Sequence, residues 1–227
     1  MGYGVQMLVQ GPRACFTRPE MKAERVSYDV MTPSAARGIL EAVYWKPAIA
    51  WHIDTIKVLN EICFETFRRN EVGSKIPYAG KTGARAAAGG KGIELCEVAS
   101  DDRQQRATLL LRNVAYIVSA HFTLTERTGA DDTVEKHYNI ALRRLRKGQC
   151  FNQPYLGCRE FPAEVSLVES DGMIPNSFYR DVPERDFGYM LYDLKFTNAA
   201  HPEPMFFRAV MRQGIIDVAS ASQEVIE

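Results

Sequence analysis

An α+β fold, with a mostly antiparallel sheet and two helices on one face, is predicted from three observations. Strand-like runs outnumber helical ones along the chain. Only two segments carry a helical apolar period. The elements follow the order β-α-β-β, further β, α, then β.

Residues 4–10 alternate, with Val5, Met7 and Val9 on one side, and predict the first strand. Thr32-Pro33-Ser34 opens the first helix, Thr32 as cap and Pro33 at the first helical position. Ala35, Ile39, Ala42 and Val43 give it an apolar face, and Pro47 forces it to end by Lys46. Ile49, Trp51 and Ile53 alternate in a second strand that continues raggedly through Ile56 and Val58; a third spans Ile62 to Phe67. Residues 68–92 are rich in Gly and basic side chains and read as a long mobile loop. A short apolar stretch follows at 93–98. Strand-rich sequence from Arg106 to Leu124 is expected to break near Arg112-Asn113. The C-terminal third reads as β-rich at 164–168, 188–196, 205–210 and 215–218, with proline-rich connections and no internal repeat. A ferredoxin-like or RRM-like core fits this order, and such sheets commonly meet single-stranded RNA.

The second helix, within Asp131–Gly148, carries the clearest local signal. Asp132 and Thr133 are candidate caps, and Gly148 stands where the helix should stop. Tyr138, Ala141, Leu142 and Leu145 share a core-facing stripe. Lys136, Arg143 and Lys147 line the opposite side, with His137 and Arg144 on its flank, and no acidic side chain interrupts Lys136–Lys147. Lys136 and His137 fall in the first turn, where free N–H groups and the helix dipole attract anions. Two readings are open: a solvated basic face over a core-packed helix, or a phosphate site with a proton-transfer group and an ammonium beside it.

Composition narrows the classes. At 227 residues the chain can bury a real core, and 46% hydrophobic with 25% charged residues is ordinary for a globular protein. Twenty-eight basic residues balance twenty-eight acidic ones, so any nucleic-acid argument must come from local clustering. No apolar run approaches the roughly 20 residues of a membrane span, and no signal-peptide core follows Met1, so a cytoplasmic location and no membrane partner are expected. The five cysteines include no Cys-x-x-Cys pair and fit reduced thiols. The four histidines (52, 121, 137, 201) lack metal-ligand spacing, so no metal or other cofactor is expected. His52 and His121 fall in strands and read as hydrogen-bonded structural residues. Gly80-Lys81-Thr82 is not a P-loop, because Lys75 occupies the position of the required first glycine. Arg159 and Glu160 read as an internal ion pair, outside any site. Metal-free RNA cleavage needs a base for the 2′-OH, an acid for the leaving 5′-oxygen and a cation for the phosphorane. Tyr44, Lys136 and His137 are residue types able to supply them.

Six segments carry a family resemblance: Cys15-Phe-Thr-Arg-Pro-Glu, Ser27-Tyr-Asp-Val, Ala42-Val-Tyr-Trp-Lys-Pro, Arg68-Arg-Asn-Glu-Val, Lys136-His137-Tyr138 and Leu156-Gly-Cys-Arg-Glu-Phe. In these the chain closely resembles the CRISPR-associated Cas-five family, subtype I-C (Dvulg group), of the RAMP superfamily. The resemblance implies a ferredoxin-like N-terminal domain over 1–150, for RNA binding and catalysis, and a smaller β-rich C-terminal domain over 151–227. It implies a metal-independent endoribonuclease that cuts precursor CRISPR RNA beside the repeat hairpin. The enzyme would stay on the 5′ handle of the mature crRNA as a subunit of the type I-C surveillance (Cascade) complex. Tyr44, Lys136 and His137 match the family's catalytic positions. The expected chemistry is 2′-OH attack leaving a 2′,3′-cyclic phosphate and a 5′-OH. Arg68, Arg69, Arg143, Arg144 and Lys147 are expected to contact RNA phosphates. A non-catalytic crRNA-binding scaffold is the alternative, and duplex DNA is left open as a further partner.

Overall fold

The structure, a computed structural model, describes residues 3–21, 23–74, 78, 83–89, 100–169, 174–197 and 202–226. The apolar stretch expected at 93–98, Gly80-Lys81-Thr82 and His201 lie outside them. The described residues form two compact units, residues 1–65 with 109–227 and residues 66–108.

In the larger unit β1 (Gly4–Ala14) buries Val5, Met7 and Val9, the alternation expected of it. In α1 (Pro33–Val43) the Thr32 hydroxyl accepts the Ala35 N–H at 3.3 Å, and Ala36, Ile39, Leu40 and Val43 face the core. β2 (Ile49–Val58) is ragged for a physical reason. A bulge between Ile53 and Thr55 inserts Asp54, which lets Trp51 and Ile53 point inward before it and Ile56 and Val58 after it. β4 (Arg103–Leu124) does not break at Arg112-Asn113. Asn113 takes φ +50 while the register runs on from Gly11↔Val114 to Arg13↔Arg112, so Pro12, which has no N–H to donate, falls opposite it. The Asn60 side chain caps the Asn113 carbonyl at 2.9 Å.

In α3 (Val134–Lys147) the Thr133 hydroxyl accepts the Lys136 N–H at 3.2 Å, and Gly148 ends the helix at φ +61. β5 (Glu164–Leu167), β6 (Arg185–Lys195), β7 (Glu203–Arg212), β8 (Ile215–Asp217) and the one-turn α4 (Val218–Ala221) complete the unit. Its strands form one sheet in the order β5-β1-β4-β2-β8-β7-β6, antiparallel at every pair whose register is described. β8 joins the edge of β2, so the C-terminal strands extend the sheet that begins with β1. Helices α1 and α3 share a single core with Val5, Met7, Val9, Trp51, Tyr116, Val118 and Phe122. At the expected burial coefficient of about 25 cal/mol per Å² this continuous core is the main source of stability.

At 68–72 and 84–88, among the described residues of the unit over 66–108, the structure departs from the loop expected over 68–92. Strand β3 (Cys63–Val72) runs five residues past Phe67 and pairs with β4, and a short α2 (Ala84–Ala88) follows. The apolar alternation that would have signalled it is missing. In its place the Glu71 carboxylate forms ion pairs with Arg69 at 2.8 Å and with Arg106 on β4 at 3.5 Å.

Candidate active site

Tyr44 is the first residue past α1. It takes extended backbone angles (φ −152, ψ 118), its N–H still donating to the Leu40 carbonyl, and this turn carries the phenol inward. The Trp51 indole N–H donates to the Tyr44 carbonyl at 2.8 Å and fixes the turn. His137 lies one turn into α3, on the line of Ala141 and Leu145 that faces the core. The two side chains, 93 residues apart in sequence, meet: the Tyr44 hydroxyl and His137 Nδ1 are 2.7 Å apart. The Phe122 ring stands edge-on to the imidazole, centroids 6.4 Å apart.

His137 is therefore not on the flank of a basic stripe. It is 2% exposed, as is Tyr44. The i, i+4, i+8 spacing of His137, Ala141 and Leu145 is the signal that could have placed it. Lys136, Arg143 and Lys147 do remain exposed on the outer face.

Asp132 completes the arrangement. Its Oδ1 lies 3.3 Å from Lys136 Nζ and 3.2 Å from His137 Nε2, and its Oδ2 accepts the Gly129 N–H at 3.0 Å. The contact with Nε2 is a close approach without hydrogen-bond geometry, so Nε2 is buried with no hydrogen bond of its own. Lys136 Nζ also donates to the Asp131 carbonyl at 3.0 Å. The Gly129 amide first, then Lys136, hold the Asp132 carboxyl below the usual carboxylate range. Burial pushes the Tyr44 phenol up, against the opposing pull of the Arg144 guanidinium 5.2 Å from its ring centre, so the phenol stays neutral around pH 7. Arg144 Nη1 donates to the Val43 carbonyl at 2.7 Å.

The remaining predicted residues divide by unit. Arg143, Arg144 and Lys147 share α3 with the site. Arg68, exposed, and Arg69, paired with Glu71, lie on β3 in the other unit. Glu160 pairs with Arg25 at 2.7 Å rather than with Arg159, because the turn that follows Leu156 carries it toward Arg25. His52 and His121 are hydrogen-bonded as expected, to Thr123 at 2.9 Å and Asp54 at 2.8 Å. Among the described residues no three His, Cys, Asp or Glu side chains are grouped as a metal ion would require. Chemically, the arrangement offers one neutral phenol, one imidazole and one ammonium around an anion position now held by a carboxylate.

The family described as CRISPR-associated protein (Cas_Cas5) matches residues 4–219. A CRISPR pre-crRNA endoribonuclease Cas5d of Mannheimia succiniciproducens is 48% identical over 220 residues, 96% of each chain. A protein of the same description from Thermus thermophilus is 39% identical, covering 94% of this chain and 90% of its own. A crystal structure of a CRISPR-associated protein superposes with a TM-score of 0.69 at 25% identity, covering 97% of this chain and 93% of that one. A functionally uncharacterized protein from Streptococcus mutans shares the fold, with a TM-score of 0.66 at 24% identity over 94% of this chain and 91% of its own.

Proposed function

The chain belongs to the Cas5 family of CRISPR-associated proteins, subtype I-C, and from that premise we propose that it is an endoribonuclease that cuts precursor CRISPR RNA. The single observation that carries the active-site assignment is Asp132 Oδ1, within 3.3 Å of both Lys136 Nζ and His137 Nε2. A carboxylate there marks a position where one anion meets both groups, and a phosphate oxygen of the scissile linkage is the anion the reaction brings. Electrostatic stabilisation of the phosphorane falls to Lys136, and proton transfer to His137.

In the reaction the 2′-oxygen attacks the adjacent phosphorus and gives up its proton, the P–O5′ bond breaks, and the 5′-oxygen takes a proton. The products are a 2′,3′-cyclic phosphate and a 5′-OH. The Tyr44–His137 bond ties the two proton roles together. When Nδ1–H donates to the phenol oxygen, Nε2 presents a lone pair and acts as base, and the phenol O–H is free to donate. Once Nε2 has taken up a proton both ring nitrogens carry hydrogen, Nδ1–H keeps its bond to the phenol oxygen, and Nε2–H can act as acid. The three side chains supply every role without a metal ion.

The order β5-β1-β4-β2, with α1 and α3 packed on the same core, supports a ferredoxin-like reading of the N-terminal 150 residues in which β5 (Glu164–Leu167), from the proposed β-rich part over 151–227, completes the sheet. Retention of the processed RNA on its 5′ handle, and membership of the type I-C surveillance complex, are the roles we assign after cleavage. Arg68, Arg69, Arg143, Arg144 and Lys147 are the proposed phosphate contacts. A repeat RNA carrying one 2′-deoxy sugar at the scissile nucleotide is expected to resist cleavage, and the all-ribose RNA to be cut fully in EDTA. Cleavage of the deoxy RNA, or loss of cleavage in EDTA, overturns the chemistry.

A further inference from the structure

Next to the candidate active site a groove of about 890 Å³ runs between the end of α1 and the chain that follows α3. Its lining combines three aromatic rings, Trp45, Phe151 and Tyr155, with three cations, Lys46, Arg144 and Arg159. The rings are open to solvent, Trp45 at 52%, Phe151 at 77% and Tyr155 at 40% exposure, and they are gathered in one groove. Among the described residues of the lining the one carboxylate, Glu41, is half-buried and meets Arg37 at 3.5 Å, so their net charge is positive.

The walls are held in place. The N–H groups of Phe151 and Asn152 both donate to the Ala42 carbonyl, at 2.8 and 3.1 Å, and tie the segment after α3 to α1. Tyr155 is bridged to Pro162, and the Leu156 N–H donates to the Phe161 carbonyl at 2.7 Å. The groove also borders the site through neighbouring residues. Trp45 follows Tyr44 directly, and Arg144, which lines the groove, lies 5.2 Å from the Tyr44 ring centre.

We propose that this groove is a stacking platform for the unpaired stretch of RNA bordering the cut phosphodiester, with bases on Trp45 and Phe151 and phosphates on Lys46, Arg144 and Arg159. Exposed rings between cations match what single strands offer, a π-face on every base and a charge on every link. Base-paired RNA hides its faces in the helical stack and would leave the rings unused. The side-chain amides of Asn152 and Gln153 stand in the same lining, where base edges would come. The inference rests on the endoribonuclease reading only for its choice of RNA as the polymer.

The test uses the full chain and two probes: an eight-nucleotide oligoadenylate RNA, and an RNA hairpin with no unpaired flank. The chain has two tryptophans, and Trp51 is only 4% exposed, so quenching by a bound base reports Trp45. The oligoadenylate is expected to quench that fluorescence saturably. Trp45→Ala and Phe151→Ala should each weaken its binding about tenfold by anisotropy, and Trp45→Phe, which keeps a ring, should stay within about threefold of wild type. Far-UV circular dichroism of each variant separates lost stacking from lost folding. Quenching that the flank-free hairpin reproduces, or alanine variants that bind like wild type, overturns the proposal and leaves the rings to a protein partner. The catalytic reading fails separately, if His137→Ala still cuts RNA, and that result leaves the quenching unaffected.

Discussion

Two histidine pairings in this molecule look alike in sequence and differ in what surrounds them. On one face of the sheet His137 is buried against Tyr44, its Nε2 without a hydrogen bond and an ammonium one residue away. His52 and His121 stack directly opposite each other on β2 and β4, ring centroids 5.1 Å apart. Each of those rings is anchored, His52 to Thr123 and His121 to Asp54, at the exposed or half-exposed surface. The contrast teaches that a strand histidine becomes a satisfied surface group when its partners are neighbours across the ladder. A ring held by a phenol that follows another helix, with its far nitrogen free of a hydrogen bond, is the group to which we assign proton transfer.

The largest expected effect breaks the comparison at its centre. His137→Ala should slow single-turnover cleavage by about 10³-fold or more, and His121→Ala should change it by about twofold at most. Equal losses would remove the distinction. Tyr44→Phe keeps the ring and its packing and loses only the hydroxyl. It should cost roughly 10- to 100-fold in the cleavage step, with RNA affinity unchanged by filter binding.

Asp132→Asn sharpens the comparison by vacating the anion position without removing side-chain volume. RNA affinity should rise several-fold, because a negative charge no longer competes with the phosphate. The pH dependence has a definite sign. The folded carboxyl of Asp132 is held down, so its contribution to stability is complete above the ordinary carboxylate pKa and is lost as pH falls through the lower folded value. His52 behaves in the opposite range. Burial first, and then the neighbouring His121, lower its pKa, so stability falls as pH drops from the ordinary histidine value toward the folded one. Thermal melts of His52→Gln should lose that slope between about pH 6.5 and the lower folded value.

A smaller effect concerns Cys158. A hydrogen bond from Cys15 first, with Thr17 and the Arg25 guanidinium adding to it, brings its thiol down to about 6, and Cys15 is pushed up. Iodoacetamide at pH 7 should label Cys158 before Cys15, which peptide mapping would read directly. The smallest is electrostatic: Arg143→Gln and Lys147→Gln should each flatten the salt dependence of RNA binding by about 0.9 in log–log slope, and an unchanged slope would return that residue to a structural role.

Much of this was legible from local signals. Thr32-Pro33, the alternation of Val5, Met7 and Val9, and the Ala141–Leu145 stripe are short-range patterns, and short-range patterns set helices and strands. Three features escaped because they depend on partners distant in sequence. The hydrogen bond at the His137 ring nitrogen needed the Tyr44 phenol, 93 positions earlier, although the local spacing with Ala141 and Leu145 already turns the ring inward. Strand β3 past Phe67 is held by Arg69, Glu71 and Arg106, whose pairing no apolar period announces. The Arg159–Glu160 neighbours suggested a pair by adjacency alone, and the fold gave Glu160 to Arg25 and Arg159 to the groove.

The decisive measurement is a crystal structure of the chain with repeat RNA made uncleavable by a 2′-deoxy sugar at the scissile nucleotide. The scissile phosphate is predicted to displace the Asp132 carboxylate and sit within about 3 Å of both Lys136 Nζ and His137 Nε2. A scissile phosphate bound on the opposite face, beside His52 and His121, would contradict the assignment outright.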